Sequence, residues 1–160
     1  MTTATETATQ TYRIHVKATP EEVWDALTKR GEDYGYHARV EYDFEAGTYT
    51  GFANDQMREY GMPEVLITGE ILEADLPHRL VQTWNPLFDE NITAEPPATL
   101  TWETEAFPNG TTRLTLTCKT DGAPITAGIT SGDIVEGMGG WPLVLSDLKT
   151  LLETGKSLAG

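Results

Sequence analysis

The sequence predicts an α+β fold: a curved antiparallel sheet of about six to seven strands wrapped around a long C-terminal helix, with short helices after the first strand. Three observations predict it. Residues 38–119 read as consecutive strands with period-2 alternation and turn signals between them. A strongly capped helix, TPEEVWDALTK, follows the first strand directly. Near the end, Ile134, Met138, Trp141, Leu145, Leu148 and Leu152 recur at spacings of 4, 3, 4, 3 and 4, an apolar helical stripe that needs a sheet to cover it.

Each element has its own signal. In TYRIHVKAT, Tyr12, Ile14 and Val16 share one face and Arg13, His15 and Lys17 the other, giving a half-buried strand. Thr19 is placed to cap the helix behind it, Pro20 suits its first position, and Glu22 completes a capping box. Val23, Trp24 and Leu27 form that helix's apolar face, and KRGEDYGYH reads as an irregular connector. In ARVEYDFEAGTYTGFA, Ala38, Val40, Tyr42 and Phe44 point one way and Arg39, Glu41, Asp43 and Glu45 the other, with a turn at Ala46-Gly47. EVLITGEILEA offers Val65, Ile67, Gly69 and Ile71, and RLVQTW sets Leu80, Gln82 and Trp84 on one side. Residues 85–98, with three prolines, read as a long loop. Pro108-Asn109-Gly110 turns the last hairpin, with Leu100 and Trp102 on one strand and Leu114, Leu116 and Cys118 on the other. TDGAPITAGITSGD reads as a loop rich in Gly, Thr and Ser.

The stretch GMGGWP opens the terminal helix with three glycines and a proline around a tryptophan. Pro142 has no N–H and disfavours helical geometry at Trp141, so the helix should kink or restart there. The glycines leave room for the indole or for a ligand.

At 160 residues the chain suits one domain, burying roughly 70% of its unfolded surface. Residues 11–155 are read as that domain, 1–10 as a disordered leader and 156–160 as a tail. The leader lacks the basic and apolar regions of a signal peptide, and a lone cysteine suits a reducing compartment, so a cytoplasmic protein is expected. The net charge of −14 argues against nucleic acid and anionic membranes, and no apolar run is long enough to insert in a bilayer. A homodimer, or a protein partner docked on the acidic surface, is a further expectation.

Chemistry-bearing motifs are sparse. No histidine pair has metal-ligand spacing, one cysteine cannot build a thiolate site, and no phosphate loop or nucleophile elbow is present. No metal, cofactor or catalytic residue is assigned. His15 and His78 read as surface residues, His37 as a candidate for a pocket mouth, and Cys118 as a buried inert thiol. The row Glu41, Asp43 and Glu45 should face water, while Glu70 or Glu73 is a candidate for an inward, ligand-orienting acid. Aromatic residues are plentiful, and a curved sheet facing one helix is hard to fill with side chains alone.

ATPEEVWDALT, GEILEADLPHRLVQTWNP and GGWPLVLSDLKTLLETG, in that order, resemble the SRPBCC (START-like, helix-grip) superfamily. Within it they are similar to the branch of bacterial proteins named for activators of the heat-shock-protein-90 ATPase, which overlaps proteins called polyketide cyclases. The resemblance spans residues 11–155 and implies the helix-grip fold. The superfamily hosts lipid carriers, aromatase/cyclases and hormone receptors, and bacterial relatives include self-sacrifice proteins that bind enediyne antibiotics. Two departures stand out: RGEDYGYHARV replaces a Trp-rich segment common in relatives, and the separate N-terminal domain of eukaryotic co-chaperones has no counterpart here.

The reading that results is a binder of a small hydrophobic or aromatic molecule, such as a lipid, polyketide or antibiotic-like compound, held between sheet and terminal helix. Trp24, Tyr42, Phe44, Ile67, Trp84, Trp102, Met138, Trp141 and Leu145 are its expected lining. A cyclase or aromatase using the same cavity, a co-chaperone-like interaction module and an antibiotic self-sacrifice protein are the alternatives.

Overall fold

The structure, a computed structural model, describes residues 9–29, 39–53, 55–87, 89–131 and 140–158. Strand β1 (Thr9–Val16) leads into helix α1 (Pro20–Lys29), then β2 (Arg39–Asp43) and β3 (Thr48–Phe52). A short helix α2 (Asp55–Glu59) precedes β4 (Val65–Asp75) and β5 (Arg79–Pro86). Helix α3 (Glu90–Thr93), β6 (Ala98–Ala106), β7 (Thr112–Lys119), α4 (Pro124–Ser131) and α5 (Gly140–Thr154) follow among the described residues.

The seven strands form one antiparallel sheet in the order β1-β7-β6-β5-β4-β3-β2. The consecutive strands β1 and β2 therefore occupy opposite edges, and α1 lies between them in the chain. It packs on β2, β6 and α5, while α5 packs on β1. This is the α+β helix-grip arrangement that the sequence predicts. Register shifts at Gly51/Phe52 and Ile71/Glu73 bend the sheet by the two-against-one mismatch of a bulge.

The local chemistry explains the elements. Thr19 Oγ1 accepts from Glu22 N (3.1 Å) and Glu22 Oε1 accepts from Thr19 N (2.9 Å), a reciprocal capping box that satisfies two otherwise orphaned donors. In the β6–β7 turn Gly110 takes φ +83°, a left-handed conformation in which a side chain would be strained. Asn109 Oδ1 there accepts from Thr111 N at 3.1 Å. Pro142 falls in the first turn of α5, where N–H groups have no helical acceptor, so the missing donor costs nothing. Trp141, Leu145, Leu148 and Leu151 are its buried face. Behind it, the buried Asp147 carboxylate accepts from Ser157 Oγ and Leu158 N, both at 2.7 Å, folding the chain back along the helix.

Three expectations need correction. Residues 9 and 10, read as leader, belong to β1, where Gln10 pairs with Cys118. The loop expected over 120–133 contains α4, and the one over 85–98 contains α3. Helix α4 is held by distant partners: Glu95 accepts from Ile125 N (2.9 Å) and Thr126 N (2.8 Å), and Gln10 Nε2 donates to Ala127 O (2.8 Å). Such long-range capping leaves no local sequence signal.

Candidate functional site

The alternation that builds the sheet also builds its concave face. Cross-strand pairing places Cys118, Leu100, Gln82 and Ile71 in one row, and Tyr42, Tyr49 and Gly69 in another. Leu27 of α1 and Trp141 of α5 close over these rows. Between them lies a pocket of about 20 Å³, lined also by Val40, Ile67, Trp84 and Trp102. A space of that size holds about one water molecule. Aromatic rings fill most of the interior: Trp84 and Trp102 meet Trp141 at centroid distances of 5.5 and 5.7 Å, the second pair edge-on.

One wall is polar. Tyr42 Oη donates to Gln82 Oε1 at 3.0 Å, Tyr49 lies beside the same Gln82 side chain, and the Tyr49 hydroxyl donates to Thr83 O. Gln82 is only 3% exposed. Tyr49 reaches Thr83 by lying across Gly69, where any Cβ would overlap its ring. Burial pushes both phenols above their usual range, and for Tyr49 the neighbouring Tyr42 adds to the rise. Both stay neutral O–H groups at physiological pH. On the other wall, Cys118 is buried, and desolvation pushes its thiol up to about 11, so it carries no thiolate near neutrality. The indole of Trp141, 5% exposed, lies beside the Cys118 thiol and works against that rise.

Of the residues expected at the site, Tyr42, Ile67, Trp84, Trp102 and Trp141 meet in this pocket. Leu145 is buried in the adjoining core but does not line it. Trp24 is buried elsewhere: its indole donates to Pro77 O and Thr104 Oγ1, which orients it along the α1–β6 contact. Phe44 departs from expectation because β2 ends at Asp43, so the following turn carries Phe44 outward to 46% exposure, stacked at 5.4 Å on Tyr42. Met138 and His37 lie outside the described residues. Leu27, Val40, Tyr49, Gln82 and Leu100 were not foreseen as lining. Gln82 did carry a signal, a polar residue on the apolar side of β5 between Leu80 and Trp84.

Glu41, Asp43 and Glu45 are exposed as expected, and Glu70 and Glu73 also point outward. His15 and His78 are exposed. The described lining therefore contains no carboxylate, imidazole or cation. Among the described residues no cluster could hold a metal ion, and no helix is long and apolar enough to cross a membrane.

Residues 17–153 match the family model described as Activator of Hsp90 ATPase homolog 1-like protein. Solved structures share the fold. Protein MLL2253 from Mesorhizobium loti is 22% identical with a TM-score of 0.64, covering 91% of this chain and 96% of its own. The Aha1 dimer from Colwellia psychrerythraea is 18% identical with a TM-score of 0.61, covering 93% and 98%. DynU16, a protein of the dynemicin biosynthetic locus, is 19% identical with a TM-score of 0.60 over 94% of this chain and 49% of its own. At these identities the likeness speaks for the fold. No curated protein matches the chain significantly.

Proposed function

We propose that this chain, which belongs to the Activator of Hsp90 ATPase homolog 1-like family, binds a small hydrophobic or aromatic molecule between the concave sheet and α5. One observation carries the reading: a buried Tyr42–Gln82 hydrogen bond, with the Tyr49 hydroxyl beside it, sits inside an otherwise apolar, aromatic-lined pocket. Polar groups set in an apolar wall are how such sites orient a ligand, and a core built for packing alone gains nothing from burying an amide. The pocket of about 20 Å³ is far below ligand size, so the wall re-packs when the molecule enters. The kinship with a protein of the dynemicin locus supports a polyketide or antibiotic-like compound as the ligand class.

A thermal-shift screen of polyketides, flavonoids and fatty acids tests this. Binding at a hundredfold excess over Kd adds about 2.7 kcal/mol, and for a chain of this length each kcal/mol raises Tm by about 2–4 °C. A hit should therefore raise Tm by several degrees. No stabilisation by any compound class would contradict the reading.

The Colwellia neighbour is a dimer, which supports a homodimer here as well. Sedimentation equilibrium should then return twice the chain mass, and a monomer at all concentrations would remove that reading.

A further inference from the structure

We propose that Gln82 sets ligand choice in the pocket: its carboxamide N–H donates to a hydrogen-bond acceptor on a neutral, flat guest, such as the carbonyl of an aromatic ketone. The proposal rests on the binding reading above and specifies its chemistry.

The placement of Gln82 calls for such a partner. Along β5 it lies between Leu80 and Trp84 on the concave side, and across the sheet it pairs with Leu100 on β6 and Ile71 on β4. It lines the pocket and is 3% exposed. An amide among apolar neighbours costs free energy unless its polar atoms are used, and a leucine there would pack without that cost.

Only the amide oxygen is accounted for. Tyr42 Oη donates to Gln82 Oε1 at 3.0 Å, and this bond crosses the concave face, because β3 and β4 separate β2 from β5 in the sheet. The nitrogen carries two N–H groups that point apart. Tyr49 lies beside the amide, and its single oxygen can take one of them at most. The other has no acceptor among the described residues. Buried N–H groups go without a partner more rarely than oxygens go with a spare lone pair, so the missing partner is an acceptor. Tyr42 also prepares the donor. With its oxygen held, the amide does not turn over, and it loses little freedom when a guest arrives.

The rest of the guest follows from the walls. The described lining has no charged side chain to compensate a desolvated ion, so the guest is neutral. Trp84 and Trp102 meet Trp141 at 5.5 and 5.7 Å, ring contacts that a further aromatic ring can take over. These three tryptophans also carry N–H groups, so the test reads the Gln82 amide by itself.

The probes are 1-tetralone and tetralin, which share a ring system and differ in the carbonyl. In ¹⁵N/¹³C-labelled protein the side-chain amide of each of the three glutamines is assigned through its own backbone. 1-Tetralone should move one Gln82 N–H proton downfield of its position with tetralin. The Gln10 pair, whose amide donates to Ala127 O at 2.8 Å, should stay in place with both. Ring-current shifts are common to the two probes, so the difference reports the carbonyl. In Gln82→Met, which keeps the side-chain length, 1-tetralone should bind about tenfold more weakly while tetralin changes little. If both probes shift backbone amides of the pocket but the Gln82 pair responds alike to each, or if the substitution weakens both equally, the donor assignment is wrong and the binding reading stands. If neither probe shifts any pocket resonance, the binding reading fails and the assignment with it. The wild-type spectra decide the matter even where Gln82→Met does not fold.

Discussion

Gly69 and Tyr49 show how one residue governs the site. The Tyr49 ring occupies the volume that a Cβ at Gly69 would need, and this placement brings its hydroxyl to Thr83 O. Gly69→Ala should therefore cost about 1–3 kcal/mol by overpacking, measured by urea denaturation. Tyr49→Phe keeps the ring and loses the hydrogen bond, so about 1 kcal/mol is expected. Cys118 makes a complementary test. Buried, with its thiol pushed up to about 11, it should resist alkylation in the native state at neutral pH and react at once in denaturant. At this scale the sequence was partly legible. Alternation put Tyr42, Ile67, Trp84 and Trp102 on the concave face, and the helical stripe put Trp141 opposite them. It misplaced Phe44 because a strand's end is set by its turn: Asp43 Oδ1 accepts from Ala46 N at 3.0 Å, ending the strand two residues before the alternation breaks. It could not separate Trp24 from the pocket, because an apolar helix face does not say which part of the core it meets.

Elements differ in how local their causes are. The capping box of α1 and the Asn-Gly turn of the last hairpin are written in adjacent residues, and both formed as read. Thr19→Ala should cost about 1 kcal/mol. Helix α4 is the opposite case, a Gly/Thr-rich segment that is helical because Glu95 caps it from another part of the chain. Helix α5 is secured at both scales. Leu148 is fully buried, and Leu148→Ala should cost about 2–5 kcal/mol. Near its C-terminal end, Glu153 accepts from Lys149 Nζ (2.7 Å) and from Lys17 N (2.9 Å), tying the helix to the end of β1. The Lys149 ammonium and the Lys17 amide hold the Glu153 carboxyl below the usual range. Because the folded value is the lower one, this contribution is present above the unfolded pKa and fades as pH falls through the folded one. Glu153→Gln should thus cost less than about 1 kcal/mol at pH 7, and the difference from wild type should vanish in acid.

On the scale of the molecule, the fold is a sheet too curved to be filled by one helix except with large rings. Trp84, Trp102 and Trp141 supply that filling, and the residual pocket of about 20 Å³ lies against the hydrogen-bonded pair Tyr42 and Gln82. The overall architecture was legible because a long apolar stripe and six alternating segments admit few arrangements. The size of the cavity was not, since it depends on how rings pack, which alternation does not encode. The central claim is that this interior, rather than the charged outer face, receives a small aromatic molecule. Mapping backbone amide shifts during titration with a flavone tests it most directly. Shifts concentrated at Ile67, Gln82, Trp84, Leu100 and Trp102, with the outward strand positions Glu41, Glu103 and Arg113 unmoved, are the expected result. Shifts confined to those outward positions, or none at all at saturating flavone, would contradict it.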